Sequence, residues 1–76
     1  MLAKAFLLIE TAVGRTKGVT TALKQLQGVK SVDGVTGPYD IIAIIDAETL
    51  NNIGDLVTGK IQSIAGISRT VVCVAL

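Results

Sequence analysis

Seventy-six residues with a net charge of +1 make one small domain, near the size below which a single hydrophobic core needs staples, a metal or a partner. Half of the residues are apolar, yet Phe6 and Tyr39 are the only aromatics, so the core must be built from Ile, Leu, Val and Ala, and no aromatic platform exists for single-stranded nucleic acid. The basic residues are scattered, which excludes a nucleic-acid-binding stripe; the lack of His and the single Cys exclude a zinc site, a His-dependent triad and an intrachain disulfide.

Leu2 to Thr11 is apolar on both alternating sets of positions, which predicts a strand covered on both faces. Its longest apolar piece, Ala5 to Ile9, is too short for a membrane span or a signal sequence, so no membrane partner is expected and a cytoplasmic location is. AVGRTKG reads as a loop. Its glycines match neither a P-loop nor a dinucleotide fingerprint, which leaves a plain strand-to-helix turn or an anion site on the helix N-terminus. Val19, Ala22, Leu23 and Leu26 then recur as one face of a short helix ending at Gly28.

VKSVDGVT is a more polar strand, suited to a sheet edge. The turn Gly37-Pro38-Tyr39 leads into Ile41 to Ile45, a run of strand length, after which Asp46 is expected to cap a second helix with Glu48 in its first turn. Leu50, Ile53, Leu56, Val57, Ile61 and Ile64 form that helix's apolar stripe, interrupted by Gly54 and Gly59. AGISR connects to a last strand from Thr70 to Leu76, in which Cys73 reads as a small buried hydrophobe.

The order strand, helix, strand, strand, helix, strand predicts an α+β, ferredoxin-like βαββαβ fold, a four-stranded antiparallel sheet with two helices on one face, and one domain over residues 1–76. Two helices cover one face only, while three of the strands are apolar on both. At least a dimer, packed sheet to sheet or edge to edge, is therefore expected.

The acidic residues show no spacing that recommends a metal or a catalytic carboxylate pair, so no catalytic residue, metal or cofactor is assigned. Asp40 stands out. A carboxylate at the start of an apolar strand commonly bonds the turn or faces solvent. Here the rigid Gly37-Pro38 pair fixes its direction, and beside isoleucines it is costly unless a cation or donors meet it. A ligand ammonium or a Lys or Arg of a neighbouring chain would serve.

The turn TGPYD ahead of an apolar strand, the helix AETLNNIGDLV and the final IAGISRTVVCVAL together resemble the effector domain of the Lrp/AsnC family of regulators, the module named for regulation of amino-acid metabolism. The family's G-x-[YF]-D turn matches Gly37 to Asp40, and its approach to the last strand matches Ile64 to Thr70. The resemblance runs over essentially the whole chain. It implies a dimeric α/β barrel that assembles further, commonly into octamers, and a small effector, usually an amino acid, held between subunits. Gly37, Tyr39 and Asp40 would frame the amino-acid backbone with Asp40 at the α-ammonium, and Ser68 and Thr70 would supply hydroxyl or backbone groups. Where the family often has a further hydroxyl residue this chain has Val72.

With the first strand beginning at Leu2, the resemblance implies a stand-alone form without the helix-turn-helix domain, hence no direct nucleic-acid binding and a regulatory, non-enzymatic role through assembly. Alternatives are a cofactor-free enzyme of the dimeric α+β barrel type, with Tyr39 and Asp40 as its only nearby proton-transfer groups, and a structural partner that co-assembles with full-length regulators. An ACT-type amino-acid-binding domain shares the element order and would use Arg15 instead of Asp40.

Overall fold

A computed structural model describes residues 2–76. Strand β1 (Ala3–Thr11), helix α1 (Thr16–Lys24), β2 (Val29–Gly34), β3 (Ile41–Ala47), helix α2 (Leu50–Leu56) and β4 (Ile67–Val74) follow in the expected order. The strands form one antiparallel sheet in the spatial order β2-β3-β1-β4, which is the ferredoxin-like arrangement. The apolar strands β1 and β3 are central, and the more polar β2 lies at an edge as its composition predicts.

Alternation sorts the two faces of the sheet. Ala5, Leu7 and Ile9 of β1 and Ile41, Ala43 and Ile45 of β3 are completely buried under the helices, together with Val19 and Leu23 of α1 and Ile53 of α2. Each of the larger aliphatic side chains contributes about 1.5–3 kcal/mol by leaving water. On the opposite face, register sets Phe6 between Ile44 and Cys73, and Leu8 between Ile42 and Val71. None of these six side chains is fully buried in the single chain, and Phe6 and Cys73 are exposed. Lys4 opposite Asp46 and Glu10 opposite Arg69 mark the two ends of this apolar patch.

Five expectations are corrected. Asp46 is no helix cap: β3 runs on to Ala47, where Asp46 pairs with Lys4 and its N–H donates to the Gly28 carbonyl. Thr49 is the cap, its hydroxyl accepting from the Asn52 N–H at 3.1 Å, and Glu48 lies ahead of the first turn. Leu50 is exposed and stands outside the buried stripe. The last strand begins three residues earlier than Thr70, at Ile67, and Cys73 is exposed on the open face of the sheet.

Beyond Leu56 the second helix continues as a wider, π-type turn, Val57–Ile61, closed by the Gln62 N–H on the Val57 carbonyl at 2.9 Å. The buried residues explain it. Ile53, Val57 and Ile61 are spaced by four, and at 3.6 residues per turn each such step drifts by about 40° around the axis. A wider turn takes up that drift and returns Ile61 to the sheet. The glycines of this helix are not packing requirements within the chain, since a Cβ added at Gly54 or Gly59 would meet nothing within 4 Å.

Candidate functional site

Backbone pairing fixes one end of the sheet and, with it, the residues singled out in the sequence. Gly37 takes φ +116°, a conformation that side-chain-bearing residues rarely adopt, and turns the chain from β2 toward β3. Asp40, one residue ahead of β3, is held from both sides: its N–H donates to the Ile9 carbonyl at 2.9 Å, and its own carbonyl accepts from the Val35 N–H at 2.9 Å. The turn therefore cannot shift without breaking pairing on either flank.

The Asp40 carboxylate is met by donors of its own chain. Its Oδ2 accepts from the Thr11 N–H at 2.8 Å and from the Thr11 hydroxyl at 3.2 Å. Thr11 in turn shares a 2.7 Å hydrogen bond with the Thr16 hydroxyl at the start of α1. Sequence reasoning missed Thr11 and Thr16 altogether. Oδ1 accepts no hydrogen bond among the described residues, and the half-buried Asp40 lines an open cleft of about 700 Å³ with Thr16, Gly34, Val35 and Thr36.

The other candidates flank β4. Tyr39 is tied to the start of that strand, its hydroxyl accepting from the Arg69 guanidinium at 3.3 Å while the guanidinium carbon lies 5.8 Å from the ring centroid. Ser68 is the extra residue of a bulge, because Arg69 pairs with Glu10 and Ile67 with Thr11. Thr70, opposite Ile9, has a buried Oγ1 with no hydrogen-bond partner among the described residues, which ordinarily costs about 1–3 kcal/mol. Ser68 and Thr70 line a smaller cleft of about 200 Å³ with Gln62, Ile67 and Arg69.

All five predicted residues thus gather at the same end of the sheet, but two clefts divide them: Asp40 lies in one, Ser68 and Thr70 in the other, and Gly37 and Tyr39 line neither. The two clefts flank the end of β1, between Thr11 and Ile9. Gly66 locks the geometry at this end. It adopts φ +100°, its carbonyl accepts from the Ala12 N–H at 2.8 Å, and a Cβ in its place would stand 2.8 Å from the Arg15 Cβ. Arg15 itself sits at the N-cap of α1 without making a side-chain cap.

Among the described residues no group of three or more His, Cys, Asp or Glu is placed to hold a metal ion, and no helix is long and apolar enough to cross a membrane.

Comparison with known proteins covers nearly the whole chain. Residues 4–76 match the model of the Lrp/AsnC ligand binding domain. No curated protein is significantly similar in sequence. Among solved structures, TTHA0845 from Thermus thermophilus is 34% identical with a TM-score of 0.93, the match covering 97% of this chain and 92% of that one. The hypothetical protein PHS023 from Pyrococcus horikoshii is 32% identical with a TM-score of 0.91, covering 100% of this chain and 90% of that one. The transcriptional regulator NMB0573 from Neisseria meningitidis, solved as a complex with L-Met, shares the fold at 16% identity and a TM-score of 0.88, over 97% of this chain and 49% of its own length.

Proposed function

The chain belongs to the Lrp/AsnC ligand-binding domain family, and from that premise we propose that it is an effector-binding and assembly domain whose ligand is a free amino acid held between subunits. The observation that carries this reading is the half-engaged carboxylate of Asp40. Thr11 fixes one oxygen, and the other, unpaired among the described residues, stands in a cleft at the end of the sheet. An α-ammonium is the group whose charge and three donors suit such an acceptor. The L-Met bound by the Neisseria regulator supports an amino acid as the class of ligand.

Assembly enters because the site is split. Gly37, Tyr39 and Asp40 frame the ligand backbone, and the exposed Ser68, with backbone groups of Thr70, supplies the contacts of a neighbouring subunit across the ligand. The exposed apolar sheet face supports a homodimer packed sheet to sheet, with dimers closing into a larger ring. A ligand that bridges subunits stabilises the assembled form by mass action, and the assembly state is the output by which a cytoplasmic regulator is controlled, with no chemistry performed on the ligand.

A thermal-shift screen of the twenty amino acids at millimolar concentration, against wild type and Asp40→Asn, tests the reading. At ten times its dissociation constant a ligand stabilises by about 1.4 kcal/mol, which raises the melting temperature of a chain this size by roughly 5–11 °C. A few amino acids should do so with wild type only. If none does, the effector role is wrong and co-assembly with full-length regulators takes its place, to be sought as mixed oligomers on co-expression.

A further inference from the structure

We infer that Thr11 is a positioning residue for the effector site, acting through Asp40, and that Thr16 supports it by donating a hydrogen bond to the Thr11 hydroxyl oxygen. The assignment rests on the proposed amino-acid site and adds residues to it that lie outside the family's motifs.

Donor and acceptor roles follow from chemistry. The ionised carboxylate can only accept, so the 3.2 Å bond runs from the Thr11 hydroxyl to Asp40 Oδ2. A hydroxyl has one proton, so the Thr11 oxygen must then accept in the 2.7 Å bond it shares with Thr16, and the Thr16 hydroxyl donates. The chain of donors is Thr16 to Thr11 to Asp40, all part-buried, and it starts on the first residue of α1.

Two donors from one residue, the N–H at 2.8 Å and the hydroxyl at 3.2 Å, converge on Oδ2. With the Asp40 backbone pinned between Ile9 and Val35, this pair sets the rotation of the carboxylate and hence where Oδ1 lies in the cleft. Losing the hydroxyl leaves a single donor, about which the carboxylate can turn. Binding of a ligand ammonium then bears the cost of reorienting its own acceptor.

Isothermal titration of the wild-type, Thr11→Val, Thr11→Ser and Asp40→Asn proteins with the amino acid that binds wild type tests the assignment. Valine keeps the N–H bond and a β-branched strand residue of nearly the same shape, so the fold is retained. The inference predicts an affinity for Thr11→Val weaker by roughly five- to fifteen-fold, the worth of one oriented hydrogen bond. It also predicts near-complete recovery in Thr11→Ser, and little further loss when Thr11→Val is added to Asp40→Asn, because the hydroxyl acts through the carboxylate. Wild-type affinity in Thr11→Val, failure of Ser to rescue, or full additivity with Asp40→Asn would overturn the assignment while leaving the amino-acid site standing. Absence of binding by wild type to any amino acid would overturn the site and the assignment together.

Discussion

Replacing Asp40 separates its structural task from its proposed ligand contact. In Asp40→Ala the Thr11 N–H and hydroxyl lose their shared acceptor, and hydrogen bonds to a charged group contribute about 1.5–3 kcal/mol when their partners are part-buried, as here. The loss falls on the junction between the end of β1 and the start of β3, whose backbone pairing through Ile9 and Val35 remains. Asp40→Ala should therefore lower the unfolding free energy by about 1.5–3 kcal/mol, or the melting temperature by about 6–24 °C for a chain of this size. Asp40→Asn keeps a carbonyl oxygen for the Thr11 N–H and gives up only the charge, so its cost should be about 0.5–1.5 kcal/mol. Urea denaturation at one fixed protein concentration is the assay, with the concentration fixed because association adds to apparent stability. An alanine variant within about 0.5 kcal/mol of wild type, or an asparagine variant less stable than the alanine one, would refute the reading of Thr11 and Asp40 as a structural pair. The two variants also differ in their fitness for ligand-binding work. Asparagine removes the ammonium's counter-charge at the smaller structural cost.

Three further outcomes follow from the packing. Gly66→Ala combines a left-handed φ of +100° with a Cβ 2.8 Å from Arg15 Cβ and 3.1 Å from Val19 Cγ2, and should cost about 2–4 kcal/mol in urea unfolding. Gly54→Ala meets open space and should stabilise the helix by about 0.5–1 kcal/mol; a loss instead would mean that another chain lies against this helix in the assembly. Phe6→Lys places a charge on the exposed sheet face between Ile44 and Cys73, and sedimentation equilibrium should show a fall to the monomer mass, whereas an unchanged mass would place the subunit contact elsewhere.

The sheet and both helices were legible in the sequence because their signals are local. Continuous apolar runs marked β1 and β3, and the spacing of Val19 and Leu23 marked α1. Asp46 misled because an acidic residue after an apolar run looks alike whether it caps a helix or ends a strand. What decides is pairing with Lys4 and the Gly28 carbonyl, which is tertiary. Thr49, three residues ahead of Asn52, carried a usable cap signal that the nearer acids outweighed. The spacing of four through Ile53, Val57 and Ile61 likewise held the signal for the wider turn.

At the site, the turn TGPYD drew attention to Asp40, but not to what meets its carboxylate. Thr11 lies 29 positions away and is one of many threonines. Its role exists only once the register of β1 against β3 brings Ile9 opposite Ile41, and the sequence does not fix that register to the residue. Thr70 was chosen for its hydroxyl, and the structure places that oxygen inside the chain, buried and without a hydrogen-bond partner among the described residues.

The proposed effector site depends on a charge-assisted contact between Asp40 Oδ1 and a ligand α-ammonium, and changing the ligand tests it without touching the fold. The amino acid giving the largest thermal shift should be titrated calorimetrically into the wild-type protein beside its N-acetyl derivative and its 2-hydroxy-acid analogue, which keep the side chain and carboxylate and lack the ammonium. Loss of affinity by at least roughly tenfold for both is expected from removal of a charge-assisted hydrogen bond. Equal affinity for the hydroxy acid would show that the carboxylate of Asp40 meets no ammonium and serves only to hold the end of β1.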